Sequence, residues 1–280
     1  MKASILFIVF LLSLNGVIRA QSDSVYIWPR EVPGETKPKA PPVIKGWEDG
    51  GTRHIEITNP LLAIFKPEAK KKNNKAIIVC PGGGYTHLAI EKEGYATARF
   101  LSGLGYTVFV LHYRVPNKRD GAWQDIQRSI RLVRYNAAKY GIEPSKIGVM
   151  GFSAGAHVAA MAGMADSTLN YPVQDASDKI SARPDCMIIM YPGYLDMGPN
   201  KSLTPELKVH AQTGPTFIFQ AMDDRIVQSS FALAMALGDV KANVELHIVP
   251  KGGHGYGMTP GNPAAEAWPP LLTKWLKDQF

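Results

Sequence analysis

Short apolar runs at residues 76–80, 107–113, 146–151, 186–191, 216–220 and 244–249 alternate with longer stretches at 93–104, 122–140, 154–165, 229–239 and 264–279. The longer stretches carry apolar side chains at helical spacing, with Ile126, Ile130, Val133 and Ala137 on one face. Strand–helix alternation of this kind commits a chain to a mostly parallel sheet covered by helices on both faces. Two further runs, 53–58 and 62–66, are predicted to form a hairpin, which brings the expected sheet to eight strands. At 280 residues, 45% hydrophobic and 20% charged, the chain suits one large α/β unit, expected over 51–280, and excludes a disordered or multi-span protein.

The first twenty residues depart from this pattern. Lys2 precedes an unbroken apolar run over 5–12, and small Ala20 follows Arg19, the layout of a secretory signal peptide over 1–20. The run is too short to span a bilayer, so export to the periplasm or beyond is expected, with no membrane span. Removal of Lys2 and Arg19 takes the formal charge from +7 to +5. The densest basic cluster, Lys70-Lys71-Lys72, has no interleaved aromatic or arginine and reads as a solvated turn, so no nucleic-acid partner is expected. Residues 21–50 hold Pro29, Pro33, Pro38, Pro41 and Pro42 without periodicity and are expected to form an extended arm over the body rather than an element.

Chemistry concentrates where strands end. The run at 146–151 passes into Gly151-Phe152-Ser153-Ala154-Gly155 and then a helix. G-x-S-x-G between a strand and a helix is the setting of a nucleophile elbow, in which a strained serine is lifted off the sheet. The run at 76–80 ends in Pro81-Gly82-Gly83-Gly84-Tyr85, where amides can face a substrate with no side chain in the way. Gly83, Gly84 and Ala154 are therefore the expected oxyanion hole, with Tyr85 an alternative donor by one residue of register. Downstream come Asp223-Asp224 and then His254, and serine, acid, histidine is a catalytic-triad order. His254 would take the proton of Ser153, and one of the two aspartates would fix its tautomer. His87 and Tyr85 are expected to line the cleft, and His157 to pack behind the elbow. Glu91 and Glu93 read as acids complementing a helix N-terminus. There is no H-E-x-x-H and no paired Cys/His spacing, so neither a metal nor another cofactor is expected.

These residues resemble a known family. Residues 79–85 with 88–94, then Asp125-Ile126-Gln127-Arg128, Gly141-Ile142-Glu143-Pro144 and the elbow, are similar to exported bacterial acetyl xylan esterase-like α/β-hydrolases, from about residue 76 to the C-terminus. Asp224-Arg225-Ile226-Val227 matches that family's acid followed after two residues by Val, which selects Asp224 over Asp223. Gly253-His254-Gly255-Tyr256-Gly257 matches its histidine turn. Pro81 and Phe152 stand where hormone-sensitive-lipase relatives carry His and often Asp, which turns the resemblance away from lipases. The usual order of such a sheet puts a strand between those of Cys80 and Cys186, so the two are expected to be unpaired buried thiols.

The resemblance implies a serine carboxylesterase. Only residues 195–214 separate the sixth strand from the acid-bearing seventh, which implies a minimal cap and an open cleft. An open cleft and export both suit an acyl group on a polymer, so the expected substrate is acetylated xylan or a related polysaccharide or oligosaccharide. A feruloyl or other short-chain esterase is the near alternative, and an inactive hydrolase fold that binds carbohydrate is the alternative of a different class.

Overall fold

The computed structural model describes residues 23–48, 51–165 and 168–280; residues 1–20, predicted as a signal peptide, lie outside the described residues. The strands are β1 (Asp23–Tyr26), β2 (Val43–Gly46), β3 (Thr52–Glu56), β4 (Leu61–Phe65), β5 (Ala76–Cys80), β6 (Thr107–His112), β7 (Ile147–Phe152), β8 (Cys186–Met190), β9 (Thr216–Ala221) and β10 (Val244–Val249). The helices are α1 (Ala96–Gly103), α2 (Arg119–Tyr135), α3 (Ala137–Tyr140), α4 (Ala154–Met164), α5 (Gln228–Asp239) and α6 (Pro263–Gln279). Strands β4 to β9 are buried at every position, as continuous apolar runs must be when helices cover both faces.

Eight strands form one sheet in the order β1-β4-β6-β5-β7-β8-β9-β10, parallel except where β4 meets β1 and β6. Successive strand residues point to opposite faces. Ile78, Val149 and Ile189 pack with α2, α4 and α5, while Val79, Met150 and Phe219 pack with α1 and α6. From β5 the chain moves outward to β6 and then crosses back to β7 on the other side of β5. Such a reversal opens a crevice beyond the carboxyl ends of the strands. The pairing Cys80↔Gly151 brings the turns after β5 and β7 together there.

The predicted hairpin is not present. β3 pairs with β2 in a separate two-stranded sheet, because both edges of β4 are already taken by β1 and β6. The eighth strand of the main sheet is thus β1, from the segment expected to hold no element, and β2 comes from the same segment. Between them the proline-bearing stretch is irregular, as its composition predicts. The two residues after β1 tie the segment down. Ile27 and Trp28 are buried, and the Trp28 indole donates to Asp125 Oδ1 at 2.8 Å. Asp125 also accepts the Arg114 amide at 2.9 Å and the Arg114 Nε at 3.0 Å, and Arg128 Nε donates to the carbonyl of Ile27 at 2.9 Å.

As expected, Cys80 and Cys186 are free and buried, with β7 between their strands. Lys70, Lys71 and Lys72 sit exposed around a single 3-10 turn. Residues 195–214 contain only one 3-10 turn, Pro199–Lys201, so the cap is minimal. Among the described residues no helix is long and apolar enough to cross a membrane.

Two predictions test this scaffold. Asp125→Ala leaves the buried Arg114 guanidinium uncompensated and should lower the unfolding free energy in urea by about 3–5 kcal/mol; a loss below 1 kcal/mol contradicts the anchoring role. Burial, with a smaller push from His54, holds His112 at about 3, below its unfolded value near 6.5. The unfolded chain therefore binds more protons between those values, so stability is full above pH 6.5 and falls as pH drops toward 3. His112→Gln should flatten that part of the stability curve.

Candidate active site

Ser153 joins β7 to α4 with φ 52° and ψ −116°, a conformation that side-chain-bearing residues rarely adopt. Neighbouring backbone holds it there: the Ser153 amide donates to the carbonyl of Met190 at 3.0 Å and its carbonyl accepts the Gly193 amide at 3.2 Å. Glycines make the crossing possible. A Cβ on Gly151 would lie 2.1 Å from the carbonyl oxygen of Gly155, and one on Gly155 would lie 2.1 Å from that of Cys80.

The lifted hydroxyl meets the loops after β9 and β10. Ser153 Oγ lies 2.8 Å from His254 Nε2, and His254 Nδ1 lies 2.7 Å from Asp224 Oδ2. Asp224 is buried, and Gln220 Nε2 and the Ile226 amide donate to it at 3.0 and 3.1 Å. Burial pushes its pKa up, but the bonds from His254, Ile226 and Gln220 outweigh it, so the net shift is downward and Asp224 stays a carboxylate beside the imidazole. Asp223 does separate work. Its Oδ1 accepts the amides of Gly252 at 3.0 Å and Gly253 at 2.8 Å, fixing the turn that presents His254.

Gly83 and Gly84 line the cleft with Ser153 and His254. Their φ values of 136° and 62° favour glycine, and a Cβ on Gly83 would lie 2.0 Å from the carbonyl oxygen of His87. Ala154, next to Ser153, opens α4 and is buried. The cleft measures about 640 Å³, and His87, Trp47, Tyr194 and Ile226 contribute to its walls. Tyr85 is placed differently from the expectation. It is buried and lines a neighbouring cavity of about 310 Å³ with Arg119, Trp123 and Glu206, not the cleft that holds Ser153. Its φ of 62° turns the ring inward, where the hydroxyl lies 2.6 Å from His157 Nδ1. His157 Nε2 in turn lies 2.9 Å from Glu206 Oε1, so this histidine packs behind the elbow as expected.

Glu93 stands in the first turn of a helical segment, as the sequence reading expects, but it is buried there. The segment Ile90–Tyr95 is a π-helical turn leading into α1, and it buries Glu93 against the Gly-rich loop. The motifs of the sequence do not single out Tyr191, whose ring packs edge-on against His254 with centroids 5.3 Å apart. Its one signal is that it closes the β8 run, at the same sheet edge as the other site residues. Among the described residues no cluster of three or more His, Cys, Asp or Glu side chains could hold a metal.

A family model described as BD-FAE matches residues 62–191. An acetyl ester-xyloside bifunctional hydrolase from Caldicellulosiruptor lactoaceticus superposes with a TM-score of 0.74 at 30% identity, covering 94% of this chain and 98% of that one. The chain belongs to the esterase-like α/β-hydrolases. An acetylxylan esterase of Xylanibacter ruminicola is 30% identical over 70% of this hydrolase and 44% of its own length. Esterase LipQ of Mycobacterium tuberculosis is 27% identical over 65% of this chain and 50% of its own. This esterase-like hydrolase thus spans half or less of the length of these curated relatives.

The close approach at the elbow is testable by contrast. Gly155→Ala should markedly lower the unfolding temperature or abolish folding. Gly238→Ala, on open α5 surface with nothing within 4 Å of the new Cβ, should stabilise by about 0.5–1 kcal/mol. Equal effects at the two sites contradict the packing account.

Proposed function

We propose that this chain is an exported serine carboxylesterase that removes acetyl groups from acetylated xylan or a related hemicellulose. The observation that carries this reading is the continuous line Ser153–His254–Asp224, with separations of 2.8 and 2.7 Å, at the floor of an open cleft. The names of its relatives, an acetylxylan esterase and an acetyl ester-xyloside hydrolase, support the substrate. The apolar run of the first twenty residues supports export.

The proposed chemistry follows from the atoms. Ser153 Oγ attacks the ester carbonyl as His254 Nε2 takes its proton. The tetrahedral oxyanion is held by the amides of Gly83, Gly84 and Ala154, and its collapse expels the sugar hydroxyl, which receives the proton back from His254. Water, deprotonated by the same imidazole, then releases acetate from Ser153. Asp224 supports the imidazolium through both steps, and its ionised state suits that role.

Acetate release from acetylated xylan and from an aryl acetate, by wild type and Ser153→Ala, tests the proposal. Wild type should act on both, and Ser153→Ala should lose about 10⁴- to 10⁶-fold in kcat. Asp224→Asn should lose about 10⁴-fold through the wrong histidine tautomer. Aryl acetate hydrolysis without release from xylan would remove the hemicellulose half, and ferulate release in preference to acetate would move the assignment to a feruloyl esterase. Failure of a fluorophosphonate to label Ser153 would favour an inactive carbohydrate-binding fold.

A further inference from the structure

One buried carboxylate, Glu93, borders the cleft that holds Ser153 and His254 and has no part in the proposed proton path. Glu93 Oε2 accepts the Gly82 amide at 2.6 Å, one residue before Gly83 of the proposed oxyanion loop. Its Oε1 accepts the Tyr191 hydroxyl at 2.9 Å. The same hydroxyl oxygen accepts the Gly257 amide at 2.9 Å, three residues after His254. A single side chain therefore joins the loop that would bind the oxyanion to the loop that carries the base, with Tyr191, the residue after β8, as the relay.

We propose that Glu93 is a positioning residue, acting with Tyr191 to hold the Gly82–Gly84 loop and the His254 turn at a fixed spacing about Ser153. The inference rests on the esterase reading for its consequence, since that spacing sets the reacting geometry. Hydrogen counting supports it. Three hydrogens, from Gly82, Tyr191 and Gly257, each find one acceptor only when Glu93 is a carboxylate; a proton on Oε1 would face the Tyr191 oxygen and leave the phenolic hydrogen unplaced. Burial is the largest influence and leaves the Glu93 pKa above its ordinary value, with the Gly82 amide, Tyr191, Lys92 and His254 opposing only part of the rise, so the carboxylate is read from the hydrogen-bond pattern.

Close contacts leave little slack on either side. A Cβ on Gly82 would lie 2.7 Å from the Phe152 carbonyl oxygen and 2.8 Å from Glu93 Oε2, so this backbone is wedged between elbow and carboxylate. A Cβ on Gly257 would lie 2.8 Å from the Lys92 carbonyl oxygen and 3.2 Å from Glu93 Cγ. The Gly257 carbonyl is fixed as well, accepting the Trp268 indole at 2.9 Å. A carboxylate buried at a cost in desolvation needs good partners, and here they are the Gly82 amide and the Tyr191 hydroxyl, the second of which passes the link to the His254 turn.

Glu93→Gln tests this with nearly unchanged volume. The amide keeps one acceptor oxygen and turns the other position into a donor, so either Gly82 or Tyr191 meets a donor. Two readouts apply: ester turnover per folded molecule, and the rate at which a fluorophosphonate labels Ser153. In that labelling the Oγ–P bond forms, the P–F bond breaks, fluoride leaves and His254 takes the hydroxyl proton. Small misplacements of reacting groups cost up to about 100-fold, so we expect kcat and labelling to fall together by about 10- to 100-fold, with KM within about 3-fold. Tyr191→Phe, which removes only the relay, should cost about 3- to 10-fold in kcat. A Glu93→Gln protein that turns over and labels at wild-type rates per folded molecule, whatever its unfolding temperature, overturns the proposal. If Glu93→Gln does not fold, Tyr191→Phe decides: reduced kcat at unchanged KM supports the proposal, and wild-type kcat overturns it. A wild type that labels on Ser153 yet hydrolyses no ester would count against the esterase reading alone, and the variants' labelling rates would still decide the role of Glu93.

Discussion

The structure depends most on the direct backbone contact between the turns after β5 and β7. Parallel pairing of these strands, with Cys80 opposite Gly151, sends two chain reversals into the same space. No side chain fits between them: Gly82, Gly151 and Gly155 each face a carbonyl oxygen at 2.7 Å or closer to where a Cβ would stand. That contact raises Ser153 into strained angles and sets the Gly83–Gly84 segment beside it. The strain is balanced by ordinary means, a β7 strand buried at every position and α4 buried along its whole length.

The two neighbouring aspartates show how one residue of register separates roles. Asp224 turns inward, loses solvent and gains His254, Gln220 and the Ile226 amide. Asp223 stays exposed and takes two amides of the histidine turn. One supports the imidazole electrostatically and the other fixes the backbone from which the imidazole projects. Glu93 adds a third carboxyl group that reaches the same turn through Tyr191 at Gly257, so the segment around His254 is held on both sides along the chain.

The sequence revealed the parts of this design that are local. A G-x-S-x-G between strand and helix, three glycines at a strand end and a histidine among glycines are read within a few residues, and the core strands announce themselves as apolar runs. Long-range pairing was not legible in the same way. β1 is four residues of mixed polarity, and only its register against Leu61–Ile64 gives it a place. The hairpin predicted for 53–58 and 62–66 failed because a run's character does not say which neighbour already occupies its edge. Tyr85 went the same way, since a left-handed backbone angle sends its ring away from the cleft. The burial of Glu93 follows from the π-helical turn, which no spacing of apolar residues signalled.

The N-terminal strand has an effect beyond adding a layer. β4 is Leu-Leu-Ala-Ile-Phe, five buried residues that without β1 would end the sheet in a bare apolar edge, the kind of edge that recruits strands from other molecules. Covering it with a four-residue strand of largely exposed side chains, opening on Asp23, exchanges that edge for a short one of mixed polarity. At the opposite end β10 presents exposed Glu245 and part-exposed His247. The first described residues of the chain thus take up the edge of β4 that would otherwise be open to pairing with another strand.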